Sequence, residues 1–520
     1  MLILITVAIL LITALILLIL RFTLGEYRYS WLIATSGALF AWLSVFLWQV
    51  RMPLQIQLPL WQPAALFPQS PFFVADGIAW AFAVCLVSLS LAVIVTAVIR
   101  ENFPYPISWI GILVLTAFGV MAVTADNPLT LVLLWAAIDL AELISQMRIV
   151  EEPKFSERIV IAFAAHIAGI LVLLWADMVS TSNGVILDFR ATPPQAGLYL
   201  ILAAGLRLGV LPLHLPFMSE ESVRRGFGTA LRMISAGSSL ILLARIPSSS
   251  LTSPFVPYLI LFVASAALYG AWMWLRAPDE LTGRPFWLIA MGSLALAAAL
   301  RGNPIGATAW SCALILVGGA LFLSSMQNKW LERALYIGVW AISALPLSLT
   351  AAGWVTTDSH FWYAVPFLIV AHAMLIAGLI RHIQRSNMRA AFDSQPPWAR
   401  NVYPIGVGIL LLAIPALSFF GWDGSLTIGS WILGLSASLL AAGLLWLTPR
   451  FRILNPVRAH WVRPANPAWL DWGYQAIWNS YQQLSRLSNS LSNVLEGESG
   501  IMWTLLFLAL FISFFAQRSP

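Results

Sequence analysis

The chain has 520 residues, of which 60% are apolar and only 10% charged, with a formal net charge of +6 at neutral pH. Soluble domains carry about 25% charged residues, so this composition excludes an ordinary soluble globular protein. The basic excess is accounted for by loop residues that anchor membrane helices, and it gives no reason to invoke nucleic acid.

In chain order, the first apolar run (1–20) carries no charge, no basic segment ahead of it and no small-residue cleavage site, so it reads as a retained helix rather than a signal peptide. Further runs follow at 30–50, 77–99, 106–125, 128–149, 158–180, 195–217, 226–244, 254–275, 285–300, 306–326, 333–354, 361–381, 402–421, 428–448 and 500–517. Most reach the roughly 20 residues that a spanning helix needs. The expected fold is therefore an all-α membrane protein of about 16 transmembrane helices. Between the last two runs, 466–496 is different. Trp469, Trp472, Ile477, Tyr481, Leu484, Leu487 and Leu491 recur at spacings of three to five among Gln, Ser and Asn. That pattern predicts an amphipathic helix of about 45 Å lying along the membrane surface, with 500–517 as a terminal anchor.

Basic loop residues orient the bundle. With the N-terminus outside, twenty Lys and Arg residues fall in inside loops, against four (Arg51, Arg190, Arg245 and Arg301) in outside loops. A multi-pass protein of a bacterial-type inner membrane with both termini outside is expected. The two cysteines, Cys85 and Cys312, lie inside apolar runs and form no Cys-x-x-Cys. With no Gly-rich phosphate loop either, neither metal nor nucleotide nor another cofactor is expected in this chain, and redox or peripheral groups belong to separate subunits.

Three segments carry a resemblance: DNPLTLVLLWAAIDLAELI (126–144), GLRLGVLPLHLPF (205–217) running on to ALRMISAGSSLILLAR (230–245), and LYIGVWAISALPLSLTAAGW (335–354). In order and spacing they resemble the landmark helices of the antiporter-like membrane subunits of respiratory complex I and of multisubunit sodium/proton antiporters. The resemblance covers roughly 75–517. It implies two inverted five-helix repeats (106–244 and 254–381), each with a broken helix, N-terminal helices within 1–125, C-terminal core helices at 402–448, and a short lateral helix before the terminal anchor. It also implies other membrane subunits as partners. The broken helices are expected at Pro212 and Pro216, and at Pro346 with Gly353, where prolines remove backbone donors and freed groups at membrane depth mark ion pathways; simple packing kinks are the alternative.

The departures are as informative. The glutamate of the family's Trp-Glu pair reads Trp135-Ala136, the lysine before the Pro-x-His segment is Arg207, a histidine position reads Thr229, and the second break offers only Trp354 to Thr357. The chain's two lysines, Lys154 and Lys329, lie in loops. Arginine does not titrate in the physiological range, so a lysine relay is absent. The ion-pathway candidates left at membrane depth are Asp139, Glu142, His166, Arg207, His214, Arg232 and His372. Asp139 and Glu142 share a helix face, either can pair Arg207, and Arg232 can take the other. That arrangement reads either as a static ion-pair brace or as a relay in which one carboxylate still titrates. The functional expectation is a membrane-arm, antiporter-like subunit of a proton-translocating NADH–quinone oxidoreductase-type or cation/proton antiporter complex, with proton conduction altered or lost. The alternatives are a subunit for uptake of inorganic carbon or another solute, and an inactive scaffold.

Overall fold

The structure is a computed structural model that describes residues 1–24, 29–59, 69–99, 106–149, 153–190, 192–214, 225–251, 253–327, 329–355, 359–385, 390–391, 395–451 and nine residues between 472 and 486. Fifteen α-helices follow one another through these residues. They are α1 (Leu2–Leu24), α2 (Ser30–Phe46), α3 (Gly77–Thr96), α4 (Pro106–Thr124), α5 (Pro128–Ile149), α6 (Pro153–Ser182), α7 (Gly197–Leu208), α8 (Arg225–Leu243), α9 (Val256–Arg276), α10 (Glu280–Leu300), α11 (Pro304–Leu323), α12 (Lys329–Ile342), α13 (Val365–Ile383), α14 (Pro397–Phe419) and α15 (Trp431–Phe451). Twelve helical stretches are long and apolar enough to cross a membrane. The only strands among the described residues are short: β1 (Leu54–Gln57) pairs antiparallel with β2 (Phe72–Ala75), and β3 (Met326–Gln327) lies parallel to β4 (Ala390–Ala391). The anchor expected at 500–517 and most of the lateral helix lie outside the described residues; Trp472 and its described neighbours up to 486 are helical.

The bundle is built around α3, α8, α10 and α11, whose apolar windows are almost wholly enclosed, while α1, α2, α5 and α6 leave more than half of theirs outward. A helix apolar all round is one that is buried in protein or lipid, so composition alone cannot separate these two rings. Tryptophan shows the difference. Trp48, Trp109 and Trp354 lie near span ends, where a Trp ring ordinarily suits the headgroup zone, yet they are 0%, 1% and 3% exposed and belong to the core. Trp175, Trp330 and Trp362 do face outward. Core Trp rings find hydrogen-bond acceptors where they can: Trp135 Nε1 donates to Ser238 O at 3.0 Å and Trp287 Nε1 to Leu314 O at 3.2 Å.

Two helices stop short. α7 has 12 residues and α12 has 14, about 18 and 21 Å at 1.5 Å per residue, less than the hydrocarbon thickness. α7 ends at Gly209, whose φ of 73° continues the chain as a left-handed cap, and Val210 and Leu211 both donate to Gly205 O. Pro212 follows within the turn, while Pro216 lies outside the described residues. α12 ends before a turn in which Ala344 and Leu347 have φ of 53° and 64°. There Thr350 Oγ1 accepts from Ala344 N at 3.0 Å and donates to Ala341 O at 2.8 Å, and His372 Nε2 donates to Ile342 O at 2.5 Å. Backbone groups freed at both breaks are thus taken up inside the protein. Pro346 is exposed at the second break, and Gly353 stands further on in a 3-10 turn (Ala351–Trp354) where a Cβ would come within 2.5 Å of Trp310 Nε1.

Candidate functional site: a buried double ion pair

α5, α6, α7 and α8 converge on two carboxylates and two guanidinium groups. Asp139 and Glu142 project from one face of α5, being three residues apart. Arg207 emerges from the last turn of α7 and engages Asp139 with both terminal nitrogens, NH1 to Oδ2 at 2.6 Å and NH2 to Oδ1 at 2.8 Å. Its Nε donates to Ser239 Oγ at 3.0 Å, NH1 also reaches His166 O at 3.3 Å, and the guanidinium lies 4.3 Å from the centre of the Trp135 ring. His166 on α6 turns Nδ1 toward Asp139 Oδ1 at 3.0 Å; an ionised carboxylate only accepts, so the ring donates. Gly169, one turn further along α6, makes room for the arginine stem, since a Cβ there would lie 2.6 Å from Arg207 Cγ. All these side chains are buried. A fork-shaped donor on a planar acceptor, with a further hydrogen bond to each partner, is the geometry in which an arginine–carboxylate pair tolerates low dielectric.

The second pair is looser. Arg232 on α8 donates to Glu142 Oε1 at 2.7 Å, and Gln146 Nε2 donates to the same oxygen at 2.7 Å. Glu142 Oε2 is buried with no hydrogen-bond partner among the described residues. Glu142 borders a cavity of about 10 Å³, room for about one water, lined also by Asp139, Gln146, Ile159, Ala162, Phe163 and His166 among others. The donor atoms of Asp139, Glu142 and His166 lie within 4.8 Å of one another, close enough for an ion. Each carboxylate, however, already carries a guanidinium, so a metal cation would have to displace an arginine at a steep electrostatic cost.

The polar residues continue along α8. Ser239, Arg232, Thr229 and Arg225 follow at helical spacings on one face, contacting Arg207, Glu142, Arg284 and Glu280 respectively: Arg284 NH1 donates to Thr229 Oγ1 at 2.9 Å, and Arg225 NH1 to Glu280 Oε1 at 2.9 Å. The column therefore runs from the mid-membrane pair to the α8 N-terminus. Sequence reading takes Arg225, with Glu220, Glu221 and Arg224, as solvated anchors. Arg225 instead reaches a buried glutamate and the Phe322 carbonyl; the other three lie outside the described residues. Sequence reading missed Arg284 and Glu280 as members. Their signal was an Arg and a Glu four apart at the start of an otherwise apolar helix.

The remaining candidates stand apart. His214 closes the first break, its Nδ1 donating to Pro212 O at 2.7 Å; it hydrogen-bonds neither ion pair among the described residues but lies within electrostatic range of His166. His372 on α13 is fully buried between the rings of Trp310 and Trp354, with centroids at 5.0 and 5.8 Å. It faces the second break, where no carboxylate or guanidinium among the described residues contacts it. The two buried ion pairs among these candidates lie in the α5–α8 half.

No family profile matches this sequence, and no curated protein sequence is similar to it. The fold is nonetheless shared with solved structures. The chain superposes over 100% of its length on 63% of a chain of the Mrp complex from Dietzia sp. DQ12-45-1b, with a TM-score of 0.69 and 14% identity. It spans less than two thirds of that chain. In the membrane-bound sulfane sulfur reductase, an archaeal respiratory membrane complex, 98% of this chain covers 100% of a subunit at TM-score 0.62 and 14% identity. For respiratory complex I from Thermus thermophilus with bound Aureothin, 82% of this chain covers 100% of a subunit at TM-score 0.58 and 16% identity. The bundle thus has a fold that is shared with chains of the Mrp complex, the membrane-bound sulfane sulfur reductase and respiratory complex I.

Proposed function

We propose that this chain is a membrane subunit of a larger ion-translocating assembly, of the NADH–quinone oxidoreductase or cation/proton antiporter type, in which the first ion path is locked rather than switchable. The observation that carries the reading is the two-pronged Arg207–Asp139 pair, completed by Ser239, the His166 carbonyl and Trp135. A relay group must lose its charge within a cycle, and a guanidinium does not. Arg207 therefore holds α5, α6, α7 and α8 together as a fixed brace. The second half supports the same reading, because His372 is isolated from other charged groups among the described residues. Proton exchange that survives in this chain is assigned to Glu142, which lines the small cavity and keeps one oxygen without a hydrogen bond among the described residues.

Uptake of an anion such as bicarbonate would need Arg207 donors directed at open space. Four hydrogen bonds occupy that guanidinium, so the geometry favours the brace. The test is the paired substitution D139N/R207Q in the native assembly reconstituted into vesicles. Removing both charges leaves neither stranded, so ion flux should match the unaltered assembly. Abolished flux with all subunits still present would overturn the brace and restore Arg207 to the pathway.

A further inference from the structure

The column and the site described above leave one charged cluster unexplained. It lies where α9 and α13 end. Arg276 closes α9, with its guanidinium 5.2 Å from the Trp272 ring and its Nε without a hydrogen-bond partner among the described residues. From α13, Arg381 donates to Leu275 O, His382 Nε2 donates to Trp274 O at 3.1 Å, and just past the helix Arg385 NH2 donates to Ala277 O at 2.8 Å. These bonds have a local reason, because the last carbonyls of a helix lack intrahelical donors and attract cations. They leave charge over. Arg381 lies within electrostatic range of both Arg276 and Arg385, and none of the three makes an ion pair among the described residues. The nearest acids attract Arg385 from a distance without pairing with it: Asp279 caps α10 by accepting from Thr282 N at 2.8 Å, and Glu280 is held by Arg225.

The surface leading to the cluster is apolar and faces outward. Along α9, Tyr258 and Phe262 (65% and 66% exposed) and the half-buried Tyr269 and Trp272 follow one another at helical spacings on one face and end at Arg276. On α13 the outward Phe367 and Val370 lead toward Arg381 in the same way. An acyl chain lying on such a stripe would bring its headgroup phosphate to the guanidinium groups at the membrane edge, where basic pockets between helix ends recognise anionic lipids.

We propose that Arg276, Arg381 and Arg385 form a seat for the phosphate of an anionic phospholipid, whose acyl chain runs along the outer face of α9. The inference is independent of the locked ion path. The test is native mass spectrometry of the full chain in its assembly, exchanged into phosphatidylcholine micelles and titrated with phosphatidylglycerol. Retention of phosphatidylglycerol over phosphatidylcholine is expected, weakened about fivefold by Arg276→Gln and held close to the unaltered level by Arg276→Lys. Among the described residues Arg276 donates no hydrogen bond whose loss would unfold the helix end, and an unchanged unfolding temperature in phosphatidylcholine is the expected check. Retention unaffected by Arg276→Gln would overturn the seat. Displacement of the lipid by a large excess of inorganic phosphate would point to a free-anion site and overturn the lipid assignment, as would a neighbouring subunit crosslinking at Trp272 in place of lipid.

Discussion

At the scale of single residues, two charged groups make measurable predictions. Arg207→Ala strands Asp139 in a buried setting, and such losses cost about 3–5 kcal/mol. Equilibrium unfolding in detergent should show that drop, and Arg207→Lys should recover part of it, because an ammonium keeps the charge but gives up the two-pronged contact. Equal destabilisation by both variants would mean that charge is not what Arg207 supplies. Asp126, in the turn between α4 and α5, titrates differently. Burial and the neighbouring Asp188 push its carboxyl up to about 6, against the opposing pull of Arg190 and Arg245. Arg190 approaches Asp126 to 2.7 Å but is 39% exposed while the carboxylate is 1% exposed, so solvent screens the attraction while the desolvation stays. A carboxyl raised in the fold binds its proton more tightly there than in the unfolded chain. Its stabilising contribution is therefore full below its ordinary value and lost as pH rises through about 6. The unaltered chain should gain roughly 1 kcal/mol relative to Asp126→Asn on going from pH 7.5 to pH 5. A pH-independent difference between the two proteins would refute the assignment.

Among the elements, the two short helices repay comparison. α7 ends in a left-handed glycine with its freed groups taken by its own backbone, while α12 depends on a side chain, since Thr350 Oγ1 both accepts from Ala344 N and donates to Ala341 O. Thr350→Val keeps the shape and removes both bonds, leaving a buried donor and acceptor unmet. A loss of about 1–3 kcal/mol is expected, with faster hydrogen exchange at Ala344; an unaltered exchange rate there would show that the backbone holds the turn unaided. On α5 and α8 the relevant property is spacing. Asp139 and Glu142 at three residues, and Arg225, Thr229, Arg232 and Ser239 at helical intervals, give each helix one polar face in an otherwise apolar surface.

Across the whole molecule the charge is asymmetric. The α5–α8 half holds two full ion pairs and a polar column to one end of α8, whereas the second break is sealed by hydrogen bonds and has His372 beside it, with the Arg301 guanidinium 5.9 Å from the Trp354 ring. An ion crossing this chain would meet a fixed brace in one half and an aromatic enclosure in the other. Glu142→Gln tests the remaining opening. In vesicles holding the native assembly it should lower any residual proton flux attributable to this chain while leaving the Arg207–Asp139 brace and subunit content intact, and undiminished flux would exclude Glu142 as an exchange group.

The sequence by itself determined the membrane class and the order of the helices, because each follows from local composition: a span needs a long apolar run. It picked out ionisable residues inside apolar runs, where a charge is rare enough to notice, but passed over Glu280 and Arg284 at the start of α10. It also determined that no lysine occupies a span. It did not decide which carboxylate meets which arginine, since Asp139 and Glu142 differ by less than one helical turn and either could reach Arg207. That choice rests on how α7 and α8 lie against α5, with Gly169 making room for one arginine stem and Ser239 taking its Nε. Nor did it separate helices that are apolar because they are enclosed from those that are apolar because they face lipid: Trp48, Trp109 and Trp354 lie near span ends, as headgroup rings do, and are found in the core. Both environments exclude water equally, so composition reads the same in each, and only the packing of one helix on another tells them apart.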